Sequence, residues 1–128
     1  SLTGLPNRRH LLERMRQDWA LALRQQRAFC VVFVDLDHFK RVNDERGHEA
    51  GDIVLERAAR VLRRTVRTED TVGRFGGEEF VIMCPGCSVD DALIVAERIR
   101  ASLAAEQFSI GGQQWSVTAS FGVASALA

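Results

Sequence analysis

Six apolar residues in unbroken succession, Phe29-Cys30-Val31-Val32-Phe33-Val34, constrain this chain more than any other stretch. They show no apolar/polar alternation, and a strand of that character belongs in the middle of a sheet covered on both faces. The run ends in Asp35-Leu36-Asp37. Carboxylates at the end of a buried strand are unfavourable unless paired or bound to a cation. Layers of helices around a central sheet, with a site at the end of the middle strand, are the expectation.

A second stretch bears on that site. Asp70 to Phe75 and Phe80 to Cys84 are short β-like runs joined by Gly76-Gly77, with Glu78 and Glu79 directly after the turn. They read as a hairpin, because a two-residue turn needs positive φ and glycine supplies it without steric cost. Neighbours in a strand point to opposite faces, so at most one of Glu78 and Glu79 faces a buried side. Carboxylates beside glycine-exposed N–H groups suit a site that holds a metal and approaches a phosphate. A solvated hairpin tip with two surface glutamates is the competing reading.

If the hairpin packs beside the central strand, Asp35, Glu78 and Glu79 converge. Two or three carboxylates around one or two Mg²⁺ ions serve phosphoryl or nucleotidyl transfer. Asp37 shares a face with Asp35 if the strand continues, and Lys40 lies within reach of a phosphate. Otherwise Asp35 is simply the cap of the following helix.

Around these stretches, helical periodicity is clear. Pro6-Asn7 reads as a helix start, and from Asn7 to about Arg27 an apolar stripe recurs through Leu11, Leu12, Met15, Trp19, Ala22 and Leu23. A short helix is expected from His38 to about Arg46 with Gly47 as its stop, a second from Gly51-Asp52 to about Arg67, and a third from Val89 to Ala105. Phe108 to Ile110, Gly111-Gly112 and Gln114 to Ala124 form a second Gly-Gly hairpin leading into an alternating strand. The order helix, strand, helix, helix, strand, strand, helix, strand, strand implies an α/β fold with a mixed central sheet surrounded by helices. Hairpins supply antiparallel neighbours and helical crossovers parallel ones.

Composition mainly excludes. The 128 residues suffice for one domain, 1–128, and 17 Lys+Arg balance 17 Asp+Glu, so no global field favours nucleic acid or a membrane surface. There is neither a membrane-length apolar run nor a signal-peptide pattern. An odd three cysteines favour a reduced, cytoplasmic setting over a disulfide framework. Cys84-Pro85-Gly86-Cys87 has redox-motif spacing, but no proline follows it, and zinc lacks a second ligand pair. The abrupt start at Ser1 and the apolar end at Ala128 suggest a domain excised from a larger, multidomain protein, whose other parts could anchor it to a membrane.

Six segments in order, Leu2-Thr3-Gly4-Leu5-Pro6-Asn7-Arg8-Arg9, Phe33-Val34-Asp35-Leu36-Asp37-His38-Phe39-Lys40, Asn43-Asp44, Gly47-His48-Glu49-Ala50-Gly51-Asp52, Arg74-Phe75-Gly76-Gly77-Glu78-Glu79-Phe80 and Ser120-Phe121-Gly122-Val123-Ala124, closely resemble the GGDEF family of diguanylate cyclases. The resemblance covers nearly the whole chain, in the GGEEF form of the signature. It implies a fold related to the nucleotide cyclase and polymerase palm. It also implies condensation of two GTP molecules to cyclic di-GMP with release of two pyrophosphates, across a homodimer whose subunits each hold one GTP.

By position, the resemblance makes Asp35, the Leu36 carbonyl, Glu79 and Glu78 the site for Mg²⁺, or Mn²⁺ in its place, with Glu78 otherwise the acid nearest the attacking hydroxyl. Asn43 and Asp52 read guanine, Phe39 and Lys40 lie by the β- and γ-phosphates, and Gly76 and Gly77 let the backbone approach the nucleotide. Arg67-Thr68-Glu69-Asp70 matches the family's R-x-x-D product-inhibition site, with Arg98 as its further arginine. Guanidinium groups can bond guanine's acceptor edge while a carboxylate takes its donors. The family continues past the Ser-Phe-Gly-Val strand with a further helix and a Lys…Gly-Arg segment, so this chain is expected to lack the C-terminal part and to be weak or inactive by itself. The alternative is a catalytically idle module that binds cyclic di-GMP or GTP.

Overall fold

The structure, a computed structural model, describes residues 2–5 and 8–126, so Pro6 and Asn7, the expected helix start, lie outside the described residues. The elements are α1 (Arg8–Gln25), β1 (Phe29–Leu36), α2 (Phe39–Arg46), α3 (His48–Thr65), β2 (Thr71–Arg74), β3 (Glu79–Pro85), α4 (Val89–Ala105), β4 (Phe108–Ile110), β5 (Gln113–Trp115) and β6 (Ala119–Ser125). The main sheet has the order β2-β3-β1-β6, and β4 pairs with β5 alone. β1 is the inner strand its apolar run called for.

The α/β class with helices around a central sheet holds, but the sheet is not mixed. All of its pairings are antiparallel. The helical crossovers do return the chain in the parallel direction: β2 runs parallel to β1, and β6 parallel to β3. Each such pair is separated by one intervening strand, β3 in the first case and β1 in the second. These are split βαβ units, in which crossovers and antiparallel contacts coexist.

One face of the sheet carries the larger core. Cys30, Val32, Val34, Phe80 and Ile82 from the strands meet Val54, Ala58, Val61 and Leu62 of α3 and Ala92, Ile99 and Leu103 of α4. Fully burying an aliphatic side chain of this size contributes about 1.5–3 kcal/mol. The opposite face is covered by α1 alone, through Leu11 and Ala22 with Met15 and Trp19, packed on Phe29, Val31, Val81 and Met83. That cover is incomplete. β1 was expected to be buried on both faces, yet its burial pattern alternates after Val32 and Phe33 is 40% exposed. The helix shields the first half of β1 and leaves the end that carries Asp35 open.

The second Gly-Gly turn forms as expected, with Gly111 and Gly112 at φ 57° and 81°, where glycine alone is unstrained. The long strand expected after it is broken at residues 116–118, so β5 and β6 belong to different sheets. α3 begins at His48, earlier than the Gly51-Asp52 start, because Gly47 both ends α2 and precedes α3 without an intervening loop.

Candidate active site

Asp35 lies at the open end of β1, and its cross-strand partner on β3 is Glu79. The neighbouring Leu36 N–H donates to the Glu78 carbonyl at 3.1 Å. This makes Asp35 and Glu79 a non-hydrogen-bonded pair, the kind whose Cα atoms approach to about 4.5 Å with side chains closest. Both side chains are exposed, and no basic group bonds to either among the described residues. On the other side Asp35 pairs in register with Ser120 of β6. Phe33, Asp35, Phe75, Glu79, Ser120 and Gly122 line an open cleft of about 280 Å³. Two hollows beside α1 are larger, about 550 and 540 Å³, but neither contains this carboxylate pair.

The loop before Glu79 is wider than a two-residue turn. Arg74 pairs with Phe80, and the Phe75 and Gly76 N–H groups both donate to the Glu79 carbonyl, at 2.8 and 3.2 Å. Neither Gly76 nor Gly77 has positive φ, so the expected turn geometry is not the reason for glycine. At Gly76 the reason is proximity: a Cβ there would lie 2.5 Å from the Glu79 Oε1. Arg74 fastens the loop from inside, with Nε on the Gly76 carbonyl at 3.1 Å and Nη2 on the Gly77 carbonyl at 2.8 Å.

Expected convergence of three carboxylates is reduced to a pair. Among the described residues no group of three or more His, Cys, Asp and Glu gathers as a cation site. Glu78 presents its carbonyl to Leu36, and its half-buried side chain has no hydrogen bond or ion pair among the described residues. The Leu36 side chain is in the core, leaving only its backbone for a ligand. Asp37 is engaged elsewhere: Thr118 Oγ1 and Ser120 Oγ each donate to its carboxylate at 2.7 Å. The Ser120 hydroxyl, then Thr118, holds its carboxyl below the usual carboxylate range. Asp37 thus clamps the end of β1 to β6. Two opposed carboxylates without a protein cation fit Mg²⁺, which is usually held by one or two carboxylates together with substrate phosphates.

Asp35 does not cap α2. That position belongs to His38, at φ 58°, and no side chain caps the helix. The first-turn N–H groups of α2, at Phe39, Lys40 and Arg41, have no partner within the helix, which suits an anion. Lys40 is exposed, and Phe39 packs partly on the core. Asn43, on the last full turn of α2, lies against Gly51, the neighbour of the exposed Asp52 on α3.

The R-x-x-D residues form a closed unit. Arg67 donates through Nε and Nη2 to Asp70, with Nη2 to Oδ1 at 2.8 Å, and Nη2 also reaches the Pro85 carbonyl at 3.0 Å. The Asp70 side chain is fully buried, whereas Arg67 keeps 39% of its side chain exposed. Arg98 lies exposed on α4. No hydrogen bond or ion pair joins Arg98 to Arg67 or Asp70 among the described residues.

The family model described as the diguanylate cyclase GGDEF domain matches residues 1–127. The chain belongs to the GGDEF family. The diguanylate cyclase DgcP of Pseudomonas aeruginosa is 45% identical over 122 residues, covering 95% of this chain but 18% of the relative. Diguanylate cyclase SiaD of the same organism, solved in complex with its activator SiaC, superposes with a TM-score of 0.92 at 44% identity, over 97% of this chain and 48% of that one. The GGDEF domain of DgcB from Caulobacter crescentus, solved in complex with c-di-GMP, gives a TM-score of 0.93 at 29% identity, covering 98% and 75%. This GGDEF domain therefore spans less than half of the first two proteins it matches. None of its helices is long and apolar enough to cross a membrane among the described residues.

Sequence reasoning missed Ser120 as the neighbour of Asp35, the Thr118 and Ser120 clamp on Asp37, and the aromatic lining from Phe33 and Phe75. Phe33 was legible in principle, because it stands two residues before Asp35 and so shares its face. The Thr118 and Ser120 hydroxyls, just before and within β6, carried no local signal, since their role depends on register across the sheet.

Proposed function

We propose that this GGDEF domain is a diguanylate cyclase that condenses two GTP molecules into cyclic di-GMP. The observation that carries the reading is the register of Asp35 opposite Glu79, at an open cleft four residues from the uncapped start of α2. Carboxylates to hold a divalent ion and N–H groups to hold phosphates are what a nucleotidyl transfer to a triphosphate needs.

In this reading Asp35, Glu79, the Leu36 carbonyl and the neighbouring Glu78 hold Mg²⁺, or Mn²⁺ in its place. The bound ion supplies Lewis acidity at the α-phosphate and offsets charge on the departing pyrophosphate. Phe39 and Lys40, at the start of α2, bind the β- and γ-phosphates. Asn43 and Asp52 select guanine, the carboxylate accepting from N1–H and the exocyclic amine. Gly76 and Gly77 keep the loop free of side chains beside the nucleotide. Two copies of the domain face each other as a homodimer. The 3′-hydroxyl of one GTP attacks the α-phosphorus of the other, forming a P–O bond as the bond to pyrophosphate breaks. Where Glu78 does not ligate the metal, it is the carboxylate nearest the attacking hydroxyl. The reciprocal step closes the ring and releases the second pyrophosphate.

Product inhibition belongs to the same proposal. Arg67 offers the exposed part of its guanidinium to a guanine of cyclic di-GMP, with Arg98 as a second cation. Asp70 holds Arg67 in place, and it accepts from guanine only if that pair opens. The domain acts in the cytoplasm, with no nucleic-acid partner and no membrane contact of its own.

Incubation with GTP and Mg²⁺, followed by chromatographic separation, tests the reading. Cyclic di-GMP and pyrophosphate in a ratio of one to two are expected. GTP left intact both by this chain and by concentrated protein extended through the family's C-terminal segment, with cyclic di-GMP still bound, would overturn catalysis in favour of a sensing module.

A further inference from the structure

We propose that Gly51 is a positioning residue for guanine selection, acting through Asn43 by having no side chain; the inference rests on the reading of Asn43 given above. Gly51 lies in the first turn and a half of α3, is buried, and is not among the residues with positive φ. Its backbone conformation therefore does not call for glycine. Glycine within a helix is about 0.8–1.0 kcal/mol less favourable than alanine. What calls for it is space. A Cβ at Gly51 would overlap the Oδ1 of Asn43, lie 2.9 Å from the Asn43 Cγ, and come within 3.2 Å of the Phe39 Cζ.

The two helices cannot readily part to make room. The Gly47 N–H donates to the Asn43 carbonyl at 2.8 Å, and the Gly51 N–H donates to the Gly47 carbonyl at 3.3 Å. Through Gly47 these bonds join the end of α2 to the start of α3. All three nearest atoms belong to side chains, and the first two to one amide. Asn43 is half-buried, so that amide has somewhere to rotate. A methyl group at Gly51 thus turns the Asn43 amide away while leaving the helices packed. The amide then leaves the place it holds against Gly51, the residue before Asp52 on α3. Gly51 acts on base recognition without touching the base.

The test is equilibrium binding of a non-hydrolysable GTP analogue to the wild-type chain, Gly51→Ala, Asn43→Ala and the double variant, with thermal denaturation of each. Gly51→Ala is expected to bind about tenfold more weakly, the scale of one lost hydrogen bond. Its melting temperature should equal or exceed the wild-type value. The double variant should bind no more weakly than Asn43→Ala. If Asn43→Ala leaves binding unchanged, the assignment of Asn43 to guanine fails and the inference falls with it. If Asn43→Ala weakens binding while Gly51→Ala does not, the inference alone is overturned. A lower melting temperature for Gly51→Ala, or additive losses in the double variant, would also overturn it, because the methyl group would then act through the helices.

Discussion

Asp35 on β1 and Glu79 on β3 face each other as one cross-strand pair, two carboxylates with no basic side chain bonded to either among the described residues. Like charges directly opposite in an antiparallel sheet are destabilising. Without divalent cations, Asp35→Asn and Glu79→Gln should therefore melt at or above the wild-type temperature. With Mg²⁺ and a GTP analogue the order should reverse, because a ligand that binds only the folded state stabilises it. Variants that melt well below wild type in the absence of cations would show the pair to be structural.

The Arg67–Asp70 unit has a role that its spacing does not reveal. Asp70 has no exposed side chain, and Arg67 ties it to the Pro85 carbonyl at the end of β3. Arg67→Ala removes the guanidinium from a buried carboxylate, leaving Asp70 Oδ2 only the residue-67 backbone N–H that donates to it at 2.9 Å, and should lower unfolding stability by about 1–3 kcal/mol in urea denaturation. An unchanged denaturation midpoint would mean that the pair contributes nothing to the fold. Loss of product inhibition in this variant is therefore to be read alongside its stability.

Cys84 and Cys87 have the spacing of a redox motif and the surroundings of core residues. Both are buried and free, and the Cys30 thiol donates to the Cys87 carbonyl at 3.0 Å. Burial disfavours the thiolate and pushes the Cys84 thiol up to about 12. Since the thiolate is the reactive form, the folded protein at pH 8 should resist iodoacetamide at Cys84, and the unfolded chain should react at all three cysteines. Rapid native-state labelling of Cys84 would contradict this.

What was legible in the sequence was local. Val89–Ala105 matches the helix read from its apolar spacing, and Phe29–Val34 does form an inner strand. The end of β1 was legible as a site because Asp35 follows so apolar a run. What was not legible depends on pairings distant in the chain. β3 inserts between β1 and β2, and this turns an expected mixed sheet into an antiparallel one. The reach of α1 over the sheet decides that Phe33 is exposed although Val31 is buried. Gly76 carried a signal that was read for the wrong reason, a turn conformation where the need is room for the Glu79 carboxylate.

The most direct test of the account is the rate of cyclic di-GMP formation by Glu79→Gln beside wild type, with GTP and saturating Mg²⁺. Glutamine keeps the shape and removes the charge that the metal needs. A bound ion worth several kcal/mol to the transition state corresponds to a rate loss of about 10²-fold or more. The account predicts at least that loss in a variant that remains folded. A Glu79→Gln protein that makes cyclic di-GMP at the wild-type rate would contradict the placing of the metal between Asp35 and Glu79.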